Sequence, residues 1–484
     1  MYDFLNTHQL MHRTFEEIEA LQNMKFRATV HHLLPRVKFY AELFRLHGVD
    51  FREINSVEDW KKKGLPLIKK SAYMKRPKDF VVKPKLKDHM KYLASMHKTG
   101  KLAEMIGLVV TRQAKEEMIE NYLPKMMLFS AGTESGKPTP VVITKKQKQE
   151  VLPELMRIIQ DISPYKGQIT GMNLFPFGPH LAWHSTNIGF EIADGLNLST
   201  AAGGAMRTEN LARLSGEIKP NVIAGMSSYL RQRFLPECIK QKITLPKKVV
   251  FVNGAAKMHD GERGKIKALA EKLGVKKCHV LDCYGASELK EGLMPECKQG
   301  LGFHQIAPLS NIIRTVKFES TKTDLIYDWE FTEKEGYAVN WNIDGGGTLL
   351  QGYVIGDKFS GILKERCPNC KLNVIRVKKI DRIRDVETQI KVMGMAEAKV
   401  KGTRVNLSAI REKLLKLDEV KEAQVIAERN KLKILIVQEK GKALNKARQA
   451  LKCLEVKPEI KIVRMEQLKK GKMKFEGIII NRKL

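Results

Sequence analysis

A short run of glycine and hydroxyl residues separates two apolar segments in LFSAGTESGKPTPVVIT. Glycines let backbone N–H groups approach a phosphate, hydroxyls donate further hydrogen bonds, and lysine adds a compact positive charge. The run is not a Walker A loop, because three residues rather than four separate its two glycines and a proline follows the lysine. It therefore predicts either a phosphate-binding loop or an ordinary turn. The residues concerned are Ser130, Gly132, Thr133, Ser135, Gly136 and Lys137.

Two further segments combine residues that suit a nucleotide. In LDCYGASELKEG the ring of Tyr284 can stack on a base, Gly285 permits a tight turn, and the carboxylate of Glu288 can hold Mg²⁺ against phosphate oxygens. In GYVIGDKFSG the carboxylate of Asp357 suits a pair of neighbouring hydroxyls. The competing interpretation of both segments is a surface turn that happens to carry an acidic residue.

Cysteines suggest a metal site rather than disulfides. Cys367 and Cys370 form C-x₂-C in ERCPNCK, a spacing that lets two thiolates chelate one ion. Upstream, PECKQGLGFH offers Cys297 and His304. Seven scattered cysteines, an odd number, do not make a disulfide framework. The alternative is a set of unrelated thiols and an unrelated histidine.

Together these motifs resemble those of the adenylate-forming superfamily, whose phosphate loop has the form SSGTTGKPT and whose later motifs are Y-G-x-[ST]-E and Y-x-x-G-D. This chain has one more residue in the loop. Its amino-terminal KFYAELFRLHGVDFREINSVEDW, KPNVIAGMSSYLRQRF and VKGTRVNLSAIREKL resemble the phenylacetate–CoA ligase branch. The matches follow the expected order over most of the chain.

The resemblance implies a reaction and a set of roles. ATP activates a carboxylic acid to an acyl-adenylate with release of pyrophosphate, and the acyl group then passes to CoA or, alternatively, to a protein thiol or another acceptor. Tyr284 would face adenine, Ser287 would lie near the acyl phosphate, and Glu288 would hold Mg²⁺. Asp357 would bind the ribose. Gly254 and Ala255 of VNGAAK would line the adenine pocket.

The branch can also bind a structural zinc ion, which implies a site made of Cys297, His304, Cys367 and Cys370. A lysine of the small domain completes the first step in the family, and Lys472 occupies the matching position, with Lys474 as the alternative or with a solvated basic tail in its place. The family's hinge motif G-R-x-D has no clean copy here. Arg382 with Asp385 is the best substitute.

The elements that must position these residues fit an α/β fold with two domains. Between about residue 125 and the Tyr284 motif, short β-like runs such as NVIAGM, KKVVFVNG and CHVLDCYG alternate with helical runs, which indicates parallel strands. We expect a large ATP- and acid-binding domain over residues 1–390. A mobile α+β lid follows over 391–484, in the order strand, helix, strand, strand, helix, strand, and a polar hinge lies near 380–402.

Net charge and hydropathy limit the binding partners and the location that we expect for this protein. The net charge is +32, and residues 391–484 alone hold 25 basic and 11 acidic side chains. A basic surface attracts nucleotides and nucleic acids, so a non-catalytic polyanion-binding protein on a ligase-like fold is the alternative of another class. We expect no membrane span, no signal peptide and a cytoplasmic location, with the oligomeric state left open. Phe175, Phe177, His180 and Trp183 are expected either to line an acid pocket or to belong to the core.

Overall fold

The apolar runs NVIAGM, KKVVFVNG and CHVLDCYG form neighbouring parallel strands in the computed structural model of the chain. The structure describes residues 7–481 apart from residues 97–112, 131–138, 194, 201, 203–205, 256–257, 320–322, 384, 402, 429, 453 and 469–476. No helix in these described ranges is both long and apolar enough to cross a membrane.

The first sheet of the large domain has six strands, five of them parallel. In order across the sheet they are Leu196–Ser199, Thr170–Asn173, Val222–Ala224, Lys248–Asn253, Lys277–Tyr284 and the antiparallel Met294–Pro295. The connecting helices are Leu152–Ile162, Leu181–Glu191, Thr208–Ile218, Ser227–Tyr229, Leu235–Lys240 and Asp260–Glu271. Strands buried on both faces need continuous apolar runs, which is the pattern that these segments have. The predicted α/β class is confirmed.

A second, eight-stranded sheet stands beside the first. Six strands follow the order Phe303–His304, Arg376–Arg382, Tyr353–Leu363, Glu335–Asn342, Asn311–Phe318 and Trp329–Phe331, and Leu67–Ile68 and Leu325–Ile326 pair at its side. Neighbours along the six-strand path are antiparallel. Pro124–Ser130 and Thr139–Thr144 form a separate two-stranded ribbon.

The amino-terminal part of the chain forms helices that share an apolar core with the second sheet. In this part of the chain the helices are Thr7–Leu10, Phe15–Ala28, Lys38–His47, Val57–Lys62, Lys70–Lys75, Leu86–Met96 and Gln113–Tyr122. Thr14 begins the second of them with a reciprocal cap, in which the Glu17 amide donates to the Thr14 hydroxyl at 3.2 Å. Trp60 and Trp341 are buried in the core between helices and sheet.

The small domain has its own apolar core, formed by residues between 398 and 456. Its elements are Glu397–Val400, Thr403–Asn406, Leu407–Leu415, Val420–Ala427, Leu432–Gln438, Ala443–Ala450, Glu459–Ile462 and Ile478–Ile480. The predicted order is confirmed from the strand Thr403–Asn406 to the strand Glu459–Ile462. The sequence prediction missed the first strand, Glu397–Val400, and the last strand, whose three isoleucines pair in parallel with Val425 to Ala427.

The segment that we predicted as a polar hinge contains a regular helix, Val386–Met393. Asp385 caps this helix through a 2.7 Å bond from the Thr388 amide, and Gly394 ends it with φ +75°. An N-cap and a left-handed glycine suffice to bound this short helix, and the hinge near these residues stays a prediction. Asp385 serves as a helix cap, whereas Arg382 closes the preceding strand.

Several charged groups are buried under the turn that follows the Tyr284 strand. Lys290 is fully buried with φ +55°, forms an ion pair with Asp344, and donates to the Gly346 carbonyl at 2.8 Å. No partner within the described residues reaches either carboxylate oxygen of neighbouring Glu291. Burial and the negative charge of Asp344 raise the pKa of Glu291 to about 8. Its neutral form therefore belongs to the folded state over the acidic and neutral range.

This raised pKa predicts an unusual pH dependence of stability. The unfolded carboxyl group titrates near 4.5, so the stabilisation from the bound proton is complete below that pH and is lost as pH rises through about 8. We expect the Glu291→Gln variant to gain stability relative to wild type between pH 6 and 8, at roughly 1.4 kcal/mol per pH unit or less. Urea unfolding at several pH values measures the difference.

The matched control is Glu217→Gln, which changes an exposed glutamate on the helix Thr208–Ile218. Its stability difference from wild type should not vary with pH over the same range. A difference between Glu291→Gln and wild type that stays constant from pH 6 to 8 would contradict the raised pKa.

Candidate active site

The two large-domain sheets are joined by a hydrogen bond between residues of both sequence motifs. Tyr284 ends the parallel strand Lys277–Tyr284, and its hydroxyl donates to Asp357 Oδ2 at 2.8 Å. Asp357 lies in the second sheet, directly opposite Arg382, whose Nε is 3.9 Å from Asp357 Oδ1. Burial and the Asp357 charge raise the pKa of Tyr284 well above its ordinary value, so the phenol stays a donor. Residues 73 positions apart thus meet at one junction.

Glu288 lies at the same junction, in the short 3₁₀ turn Ser287–Leu289 that follows the strand. Its carboxylate is buried, accepts a 3.3 Å hydrogen bond from the Tyr353 hydroxyl and lies 4.0 Å from Lys70 Nζ. The Ser287 hydroxyl donates to the Phe129 carbonyl at 3.3 Å. The turn therefore reaches the end of the ribbon from which the candidate phosphate loop begins.

That loop connects the two strands of the ribbon, which pair from Pro124 with Thr144 to Ser130 with Thr139. Most of the predicted phosphate-binding residues lie outside the described residues. They are Gly132, Thr133, Ser135, Gly136 and Lys137. Ser130 is described through its backbone, as the last residue of the first strand. Lys472 also lies outside the described residues, so its role stays a prediction.

The VNGAAK segment lies at the carboxyl edge of the parallel sheet, next to the end of the Tyr284 strand. Gly254 follows the strand Lys248–Asn253, and a Cβ at this position would lie 3.2 Å from Phe175 Cζ and 3.7 Å from the Cys283 carbonyl. Ala255 has φ +60°, a left-handed conformation. Ligands of open α/β sheets bind at the carboxyl ends of the strands, which is where this turn and Tyr284 lie.

The aromatic residues expected in an acid pocket or in the core differ in burial. Phe175 is buried against the sheet, whereas Phe177 is 65% exposed. Phe177 meets Trp183 edge to face with ring centres 4.8 Å apart, and the Trp183 indole donates to the Thr200 carbonyl at 2.9 Å. His180 is half-buried at the start of the helix Leu181–Glu191. Phe177 is therefore not a core residue.

Two charged residues of the junction carried no signal in the sequence. Lys70 Nζ lies 3.1 Å from Glu397 Oε1, and both side chains are almost fully buried. Lys70 begins a helix of the large domain, whereas Glu397 begins the first strand after the Gly394 cap. Lys70 is one of several lysines in its stretch, and a separation of 327 residues gives no local pattern that would pair it with Glu397.

A second cluster brings together the four residues of the predicted metal site. The ligand atoms of Cys297, His304, Cys367 and Cys370 all lie within 4.8 Å of one another. Cys297 Sγ is 3.7 Å from Cys367 Sγ, and Cys370 Sγ is 3.4 Å from His304 Nε2. Bond lengths of about 2.3 Å to sulfur and about 2.0 Å to nitrogen give tetrahedral edges of roughly 3.8 and 3.5 Å. The cluster therefore has the dimensions of a closed four-coordinate site.

The surroundings of the cluster also suit a metal ligand set. His304 Nδ1 lies 3.1 Å from the Pro295 carbonyl, a contact that would hold the proton on Nδ1 and leave Nε2 directed at the thiols. Hydrogen bonding from Cys370 and His304 lowers the pKa of Cys297, which favours the thiolate that binds metals. The chemistry of these donors fits zinc better than Mg²⁺ or Ca²⁺, which prefer oxygen.

Comparison with known proteins finds similar folds among solved structures. No protein-family model matches the sequence, and no curated protein matches it either. Among solved structures, 2-hydroxyisobutyryl-CoA ligase with 2-HIB-AMP and CoA in the thioesterification state gives a TM-score of 0.68 at 14% identity. The alignment covers 97% of this chain and 91% of that chain.

Two other states of the same ligase are also similar to this chain. Its open conformation with 2-HIB-AMP and CoA gives a TM-score of 0.54 at 14% identity, over 97% of this chain and 93% of that chain. Its postadenylation state with 2-HIB-AMP gives 0.52 at 15% identity, over 97% and 91%. The chain therefore has the two-domain fold of 2-hydroxyisobutyryl-CoA ligase.

Proposed function

We propose that this protein is an AMP-forming acid–CoA ligase of the adenylate-forming superfamily, similar to the phenylacetate–CoA ligase branch. The observation that carries the proposal is the junction of Tyr284, Glu288 and Asp357, three motif residues that meet where two sheets join. The fold adds support, because 2-hydroxyisobutyryl-CoA ligase was captured with 2-HIB-AMP and CoA.

In the first half-reaction a carboxylate oxygen of the acid attacks the α-phosphorus of ATP. The bond from that phosphorus to the bridging oxygen breaks, so pyrophosphate leaves and an acyl-adenylate remains. Asp357 would accept hydrogen bonds from the ribose hydroxyls, and the Tyr284 ring would stack on adenine. Donors of the 130–137 loop would stabilise the charge that develops on the phosphates.

Glu288 is the residue that would hold Mg²⁺, because its carboxylate is a hard oxygen ligand near the start of the candidate phosphate loop. When bound there, Mg²⁺ would offset negative charge on the phosphates. Lys472 would approach from the small domain to complete this step. We further propose that residues 391–484 form a lid that takes different positions in the two half-reactions, with the boundary after residue 390.

In the second half-reaction the thiol of CoA attacks the acyl carbonyl after losing its proton, and the bond to the AMP phosphate oxygen breaks. CoA is favoured over a protein thiol because the ligase that shares this fold holds CoA with its acyl-adenylate. A non-catalytic anion-binding role is the second candidate, because the net charge of +32 would attract polyanions. The exchange assay described next distinguishes the two candidates.

We predict that the protein exchanges pyrophosphate into ATP only when its cognate acid is present. A panel of aryl, fatty, hydroxy and amino acids, assayed with labelled pyrophosphate and Mg²⁺, tests adenylation and identifies the acid. Glu288→Gln should lower the exchange rate by roughly 100-fold, since it removes a charged ligand of the metal that neutralises the phosphates. The exposed Glu217→Gln variant should match wild type.

The contrary result is also specific. A chain that gives no exchange with any acid and binds no ATP, yet binds RNA with a steep dependence on salt, would favour the anion-binding alternative. Exchange that persists in Glu288→Gln at the wild-type rate would remove Glu288 from the proposed mechanism.

We propose separately that the Cys297, His304, Cys367 and Cys370 cluster holds a structural zinc ion. Elemental analysis of protein purified in reducing buffer without chelator should give about one equivalent of zinc per chain. Cys370→Ser should lose most of that zinc and lower the melting temperature, because the remaining ligands leave the tetrahedral site incomplete. Cys278→Ser, which alters a half-buried thiol outside the cluster, should retain the zinc.

A wild-type protein with almost no zinc, or a Cys370→Ser variant that retains a full equivalent, would contradict this assignment. The prediction concerns stability and metal content, so it stands independently of the acid that the enzyme activates.

A further inference from the structure

A single buried ammonium group lies between carboxylates from the two domains. Lys70 Nζ is 3.1 Å from Glu397 Oε1 and 3.4 Å from Glu397 Oε2, whereas it is 4.0 Å from Glu288 Oε1. All three side chains are at most 7% exposed. Glu397 belongs to the small domain by its position after Gly394. The Lys70 ammonium therefore bonds to a carboxylate of the small domain and lies beside Glu288, the candidate metal ligand of the large domain.

Close contacts hold both partners in place. The Glu397 backbone amide donates to Gln389 Oε1 at 2.6 Å, and Gln389 Nε2 donates to the Ile383 carbonyl at 3.0 Å. A Cβ on Gly394 would lie only 2.0 Å from Ser71 Oγ, so the end of the helix Val386–Met393 rests directly on the residue after Lys70. The contact between Lys70 and Glu397 is therefore part of the packing of this segment against the large domain.

Five charged residues lie at the junction. Glu288, Glu397 and Asp357 are buried carboxylates, whereas Lys70 is the buried cation beside two of them and the partly exposed Arg382 neighbours the third. The formal sum is one negative charge. A buried charge without a partner is costly, so removal of one member changes what its neighbours attract.

We propose that Lys70 is a positioning residue, whose ammonium group controls how strongly Glu288 attracts a divalent cation. Glu397, from the small domain, limits this effect of Lys70 because it holds the ammonium group. This inference rests on the proposed function. When Glu397 is charged it keeps the Lys70 ammonium on itself, and Glu288 stays available to Mg²⁺. When Glu397 loses its charge, Glu288 is the nearest carboxylate to the ammonium, which then competes with Mg²⁺ for it.

The proposal predicts opposite shifts of the Mg²⁺ requirement for ATP binding in two single variants, and these shifts should cancel in the double variant. Binding of ATP to the full chain, measured by calorimetry in a series of Mg²⁺ concentrations and without acid, gives the Mg²⁺ concentration at half-maximal affinity. Glu397→Gln should raise that concentration by roughly fivefold or more, and Lys70→Met should lower it by a similar factor. The double variant should return close to the wild-type value, because it restores the single formal negative charge.

Two variants separate charge from structure. Lys70→Arg keeps the cation and should leave the Mg²⁺ requirement within about twofold of wild type. Lys75→Met removes an exposed lysine of the same helix that pairs with Asp324, and it should also leave the requirement unchanged. If Glu397→Gln fails to fold, Glu397→Asp withdraws the carboxylate by one methylene group and should raise the requirement in the same direction.

A purely structural ion pair gives a different result, in which both single variants lose stability or ATP affinity without opposite Mg²⁺ shifts. That result, obtained with a wild-type chain that binds ATP with Mg²⁺, overturns the role of Lys70 and Glu397 and leaves the proposed function intact. A wild-type chain that binds no ATP at any Mg²⁺ concentration overturns the proposed function and this inference together.

Discussion

The hydrogen bond from Tyr284 to Asp357 is the contact on which the rest of the site depends. It joins the carboxyl end of a parallel strand to the middle of an antiparallel strand, where Asp357 is buried and Tyr284 is half-buried. A buried carboxylate needs a donor, and the Tyr284 hydroxyl supplies one. This pairing fixes the distance between the sheets and thereby places Glu288, one turn after Tyr284, against Tyr353 of the second sheet.

Buried charge is the second organising feature of this strongly basic chain. Lys290 with Asp344 and Lys70 with Glu397 place ion pairs inside the protein, whereas the surplus of lysine lies elsewhere. Interior pairs stabilise little by themselves because desolvation offsets their attraction, yet removal of one partner is strongly unfavourable. Such pairs therefore contribute more to the choice of which helices and strands come together than to the free energy of unfolding. The pair between Lys70 and Glu397 does so across the two domains.

The cysteine and histidine cluster lies beside the start of the last strand of the second sheet, Arg376–Arg382. Cys297 follows the strand Met294–Pro295, His304 pairs with Arg376, and the Cys367–Cys370 turn precedes the strand that ends at Arg382. A metal ion at the cluster would therefore constrain three segments at one end of the sheet. The Asp357 and Arg382 register lies further along the same pair of strands, so the cluster and the nucleotide junction share one scaffold.

Local sequence patterns suffice to predict the α/β class, most of the order of elements in the small domain, and the residue types of the junction and of the metal cluster. These properties follow from local periodicity and from short motifs, whose spacing depends on bonded neighbours. The folded chain alone reveals that Lys70 contacts Glu397, that Phe177 is exposed, and that the predicted hinge contains a helix. Those outcomes depend on which distant surfaces come together, and a lysine among many lysines carries no local sign of the carboxylate that it will meet.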